Sequence, residues 1–65
     1  MLDLKRLKEI RESAGLSQAA AAKKAGFKRV QQWNDIEGGR YPGIRLTTLA
    51  AIAKALGVKA RDLLK

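Results

Sequence analysis

Apolar residues recur at helical intervals along nearly the whole chain. Leu4, Leu7, Ile10 and Ala14 fall three and four apart, so residues 3–14 read as an amphipathic helix capped by Asp3 and ended by Gly15. Ser17 stands as the N-cap of a second helix from Gln18 to Ala25, which Gly26 closes. Its run of alanines from Ala19 to Ala22 has high helix propensity and little bulk, so another helix can approach closely while larger neighbours fill the core. A third helix over 29–37 sets Val30, Trp33 and Ile36 or Glu37 on one face, with Arg29, Gln31, Gln32, Asn34 and Asp35 on the rest. Residues 38–46 hold Gly38, Gly39, Pro42 and Gly43 and form a loop. Thr47 is read as the cap of a fourth helix, with Leu49, Ile52, Ala53 and Leu56 at helical spacing and Gly57 at its end; Val58 to Leu64 make a fifth. No segment alternates as a strand does. The expectation is an all-α, compact five-helix domain over residues 1–65.

Composition narrows what such a domain can do. With 65 residues there is room for one modest core. The chain has no histidine and no cysteine, which excludes imidazole bases, thiol nucleophiles, disulfides and the usual zinc sites. No Ser or Thr has a base beside it in sequence, so no catalytic set can be assembled and an enzyme is not expected. No cofactor, metal or small-molecule ligand is expected either. No apolar run approaches the ~20 residues of a membrane span, and Met1-Leu2-Asp3-Leu4-Lys5-Arg6 alternates charge, unlike a signal peptide. A soluble, cytoplasmic, nucleoid-associated protein is expected. Fourteen Lys and Arg against six Asp and Glu give a net charge of +8, which favours a polyanionic partner, nucleic acid before any other.

The stretch from Gly15 to Arg45 gives that charge a layout. A capped short helix, a glycine turn and a second short helix carrying amides and cations has the arrangement of a helix-turn-helix, whose second helix enters the DNA major groove. The landmarks Arg11, Gly15-Leu16-Ser17-Gln18, Ala22, Gly26, Ile36-Glu37, Gly39 and Pro42 stand in order. So do Leu49, Ile52-Ala53, Ala55-Leu56-Gly57-Val58 and Leu63. On these residues the chain resembles the Cro/repressor-type (lambda-repressor-like, XRE) helix-turn-helix domain over essentially its whole length. The resemblance implies a lambda-repressor-like fold in which helices 2 and 3 form the motif. It also implies sequence-specific binding of double-stranded DNA by a bacterial or phage-type transcriptional regulator, acting as a dimer on a palindromic operator. Two features depart from the family pattern. Ala21 stands where leucine is common, leaving Phe27 and Trp33 to supply bulk, and the stretch from Gly26 to Glu37 is one residue longer than in many members, which shifts the register of the recognition helix.

Reading DNA requires donors for phosphates, and amides or guanidinium forks for base edges. Gln31 and Gln32 suit adenine N6 and N7; Arg29 suits guanine O6 and N7; Lys28 reaches guanine or phosphate, and Asn34 is a further base-contact candidate. On an isolated helix the two glutamines would read as solvated surface; following Gly26 in this layout they read as contacts. Asp35 would repel phosphate, but it can accept from a cytosine amine or orient a neighbouring Arg or Gln. Arg40 and Arg45 bracket a glycine-rich loop suited to phosphates. Trp33, spaced with Val30 and Ile36, is read as a core plug rather than a stacking platform. The resemblance implies a phosphate contact for Gln18 and a structural ion pair between Arg11 and Glu37. One such domain buries too little surface for tight specific binding, so a homodimer is expected, weak in solution and favoured on DNA. The resemblance places its contact on the last helix and the preceding loop, where Val58, Leu63 and Leu64 are sources of apolar surface unless Leu63 is wholly core. Competing readings are an antitoxin or restriction-modification controller subunit, and a protein-interaction module that kept the fold.

Overall fold

In the computed structural model, which describes residues 2–41 and 43–65, each helix ends by the same backbone device. The elements are α1 (Leu4–Ser13), α2 (Gln18–Lys24), α3 (Val30–Glu37), α4 (Leu46–Leu56) and a 3-10 turn (Ala60–Leu63). Met1 and Pro42, the latter a landmark of the resemblance, lie outside the described residues. At each helix end a glycine at positive φ reverses the chain, and the following N–H bonds back to a carbonyl inside the helix. The pairs are Leu16 to Arg11, Phe27 to Ala22, Arg40 to Asp35 and Val58 to Ala53. Leu16, Phe27 and Val58 then pack against the core, whereas Arg40 stays exposed. At the starts, the Asp3 carboxylate accepts the Arg6 N–H at 3.1 Å and the Ser17 hydroxyl accepts the Ala20 N–H at 3.0 Å.

The core lies where α2 and α4 meet α1 and α3. Trp33, Leu7, Ile52 and Leu63 are its largest fully buried side chains, and Ala21 and Ala22 are buried beside them. The two alanines contribute little volume, so the Trp33 ring fills the space they leave, with Phe27 tilted against it at a centroid distance of 6.0 Å. The chain ends are tied together: the Asp3 N–H donates to Leu63 O at 2.8 Å, Arg6 Nε donates to Asp62 O at 2.8 Å, and Leu2 pairs with Leu64 in an isolated antiparallel bridge. Among the described residues no helix is long and apolar enough to cross a membrane.

Several sequence expectations change. The fifth helix over 58–64 is only a 3-10 turn, so the described residues form four helices plus that turn. Val58 is consumed by the α4 cap and Leu64 is held extended against Leu2, which leaves room for a single tight turn closed by Asp62 accepting the Lys59 N–H. Helix α4 begins before Thr47: Arg45 is its N-cap, its carbonyl accepts from Leu49, and Leu46 in the first turn is 82% exposed. Val30 leaves the apolar face and is 42% exposed, because it opens α3 at the margin of the core and Phe27 packs against Trp33 from the preceding turn. Ala14 caps α1 at the surface instead of joining its buried face.

Gly39 has φ +79° and an added Cβ would meet Leu4 Cδ1 at 3.0 Å; Gly15 has φ +74° with open space around it. Gly15→Ala is therefore expected to cost about 1 kcal/mol, from left-handed strain alone. Gly39→Ala is expected to cost somewhat more, since the end of the half-buried Leu4 side chain must also give way by a few tenths of an ångström. Urea unfolding of both variants checks the order.

Candidate nucleic-acid interface

Helix α3 has an inner and an outer side, each organised by one carboxylate. On the inner side stands Glu37, the last residue of the helix, with a side chain only 6% exposed. Arg11, at the end of α1, meets it with a two-pronged guanidinium: Nη2 to Oε1 at 3.0 Å and Nε to Oε2 at 3.1 Å. Arg11 Nη1 also donates to the Leu16 carbonyl at 2.7 Å, so the same side chain holds the turn between α1 and α2. Trp33 donates its indole N–H to Glu37 Oε2 from one turn earlier on α3, and Gln18 Nε2 donates to the same oxygen at 3.3 Å from the start of α2. Burial pushes the Glu37 carboxyl up. The hydrogen bonds from Arg11, Trp33 and Gln18, with the Arg11 charge, outweigh burial and hold it below its ordinary value. Among the described residues no buried side-chain nitrogen or oxygen lacks a partner.

On the outer side Lys28, Arg29, Gln31 and Gln32 are exposed, and Asn34 is half-buried. Arg29 is the N-cap of α3 by its backbone and makes no side-chain cap bond, so its guanidinium is not spent on the helix end. Asp35 accepts from Gln31 Nε2 at 2.9 Å and from Arg40 Nη1 at 3.1 Å. Arg40 and Arg45 are exposed, and a groove of about 390 Å³ beside Gln32 is lined also by Tyr41, Arg45 and Thr48. Exposed cations and amides thus lie on one side of α3, with Trp33 fully buried behind them.

Two links were not foreseen from sequence. The Trp33–Glu37 bond had a readable signal, since residues four apart share a helix face. The Gln18–Glu37 bond had none, because it depends on how α2 meets α3. It occupies one of the two protons on the Gln18 amide nitrogen and leaves the other for a further acceptor.

Because the folded-state pKa of Glu37 lies below its unfolded value, its contribution to stability is complete above the unfolded pKa of about 4.3 and is lost as pH falls through the folded one. Glu37→Gln, which leaves Arg11 buried without a counter-charge, is expected to cost about 3 kcal/mol at neutral pH. It should also flatten the acid limb of the stability curve below about pH 5. Urea midpoints across that range check both; parallel acid limbs in variant and parent would contradict the assignment.

Comparison with known proteins bears on this arrangement. A family model described as a helix-turn-helix domain matches residues 5–65. No match is found among curated proteins or among solved structures. Such a domain points to DNA as partner, and the match spans the capped helix α2, the glycine turn and the outward-facing α3. The chain belongs to the helix-turn-helix domain family.

Proposed function

We propose that this protein binds double-stranded DNA sequence-specifically, as a cytoplasmic bacterial or phage-type transcriptional regulator of the Cro/repressor type that represses by occupying its operator. The observation that carries this reading is the division of α3: Gln31 and Gln32 exposed, Trp33 and Glu37 held inside. Eight residues make a helix about 12 Å long, comparable to the width of the major groove, about 12 Å. In this reading Arg29, Gln31, Gln32, Asn34 and Lys28 meet base edges, while Gln18, Arg40 and Arg45 meet phosphates. The acidic residues of the motif do not oppose that approach, since Glu37 is paired with Arg11 and Asp35 with Arg40.

One domain extends 24 Å at most, less than the ~34 Å that separates half-sites one helical turn apart. A two-fold operator therefore takes two copies, and a homodimer assembled on DNA fits this reading. Leu63 is fully buried and supplies no dimer surface, which leaves the half-buried Val58 and Leu64, exposed at the C-terminal end. Weak association in solution accords with so small an apolar contribution.

Selection of bound duplexes from a random pool is expected to return a two-fold symmetric motif. Gln31→Ala or Gln32→Ala should change the selected bases while leaving the melting temperature nearly unchanged, as both side chains are exposed. Arg40→Ala should weaken binding to all sequences alike and lower the salt slope by about one. A parent protein that shows no salt-dependent duplex binding would refute the reading.

A further inference from the structure

Among the described residues Asp35 alone joins a proposed base-reading amide to a proposed phosphate-binding cation. Its Oδ1 accepts from Gln31 Nε2 at 2.9 Å and from Arg40 Nη1 at 3.1 Å. The chain path makes this possible. At the ends of α1, α2 and α4 the residue after the capping glycine is apolar and packs inward. At the end of α3 that residue is Arg40, whose N–H bonds the Asp35 carbonyl at 2.9 Å, so its side chain is returned to the outer face beside Asp35.

A carboxylate only accepts, so the Gln31 amide must turn its nitrogen toward Asp35. Which end of that amide donates is thereby fixed. A glutamine reading adenine donates to N7 and accepts from N6; a flipped amide offers the opposite order. On the reading of α3 as the DNA-contacting helix, we infer that Asp35 is a specificity-determining positioning residue that locks the Gln31 amide in one orientation, with Arg40 covering its charge against the phosphates. Asp35 itself need not touch a base.

Substitutions that keep the shape or the chemistry separate this role from that of a bland surface acid. Asn at position 35 is isosteric but both donates and accepts, so Asp35→Asn frees the Gln31 amide to flip. Asp35→Glu retains an acceptor-only group one turn from Gln31. Duplex selection and titration would be run on the parent, D35N, D35E, Q31A and the Q31A/D35N double variant, with folding checked by helical circular dichroism. The base position read by Gln31 is the one that Q31A alters. D35N is expected to lower discrimination there about five-fold or more, D35E to preserve it, and D35N to change nothing further once Gln31 is alanine. Removing an acid also strengthens binding to every duplex; that effect alone, with the selected motif unchanged, overturns the inference while leaving the DNA-binding reading intact. A parent that selects no motif overturns both.

Discussion

One buried carboxylate sets the geometry of the first three helices. Taking the Glu37 side chain out of water is unfavourable unless its oxygens are fully hydrogen-bonded, and the donors come from three separate elements: Arg11 on α1, Gln18 on α2 and Trp33 on α3. Moving α3 away from either neighbour would strand a charge or an amide in the interior. The interaction is therefore valuable less for raw stability than for uniqueness of arrangement. Arg11 extends the constraint to the α1–α2 turn through its bond to the Leu16 carbonyl.

From this anchor follows the division of α3 into two sides. Asp35 and Glu37 are two residues apart, which on a helix turns them about 200° from one another. The inner acid fixes where the helix lies; the outer acid arranges what the helix presents, through Gln31 and Arg40. Each is matched by an arginine from outside the helix, so a strongly basic chain keeps two acids within its recognition segment without a free negative charge at either. Trp33 serves both purposes, filling the volume that Ala21 and Ala22 leave and donating to Glu37.

Much of this was legible in the sequence because it is local. The caps Asp3 and Ser17, the capping glycines at 15, 26 and 57, and the burial of Trp33 all follow from spacing and short-range chemistry. Periodicity misled where tertiary contacts took over. Val58 to Leu64 has the composition of a helix, yet the pairing of the chain ends holds Leu64 extended and leaves a 3-10 turn. Val30 has the right spacing to be buried, but position within the helix matters as much as period, and Phe27 packs on Trp33 from outside the helix. The partner of the Gln18 amide, Glu37, lies nineteen residues away and could only come from the way the helices meet.

The central claim is that the outer side of α3, held from behind by Glu37, is the surface that meets DNA. Mapping backbone and side-chain amide NMR shifts as a selected duplex is added tests it most directly. The account predicts the largest changes at Lys28 to Asn34 with Arg40 and Arg45, and an indole N–H signal for Trp33 that stays in place. Changes concentrated on the exposed faces of α1 or the C-terminal turn, with Gln31 and Gln32 unmoved, would contradict it.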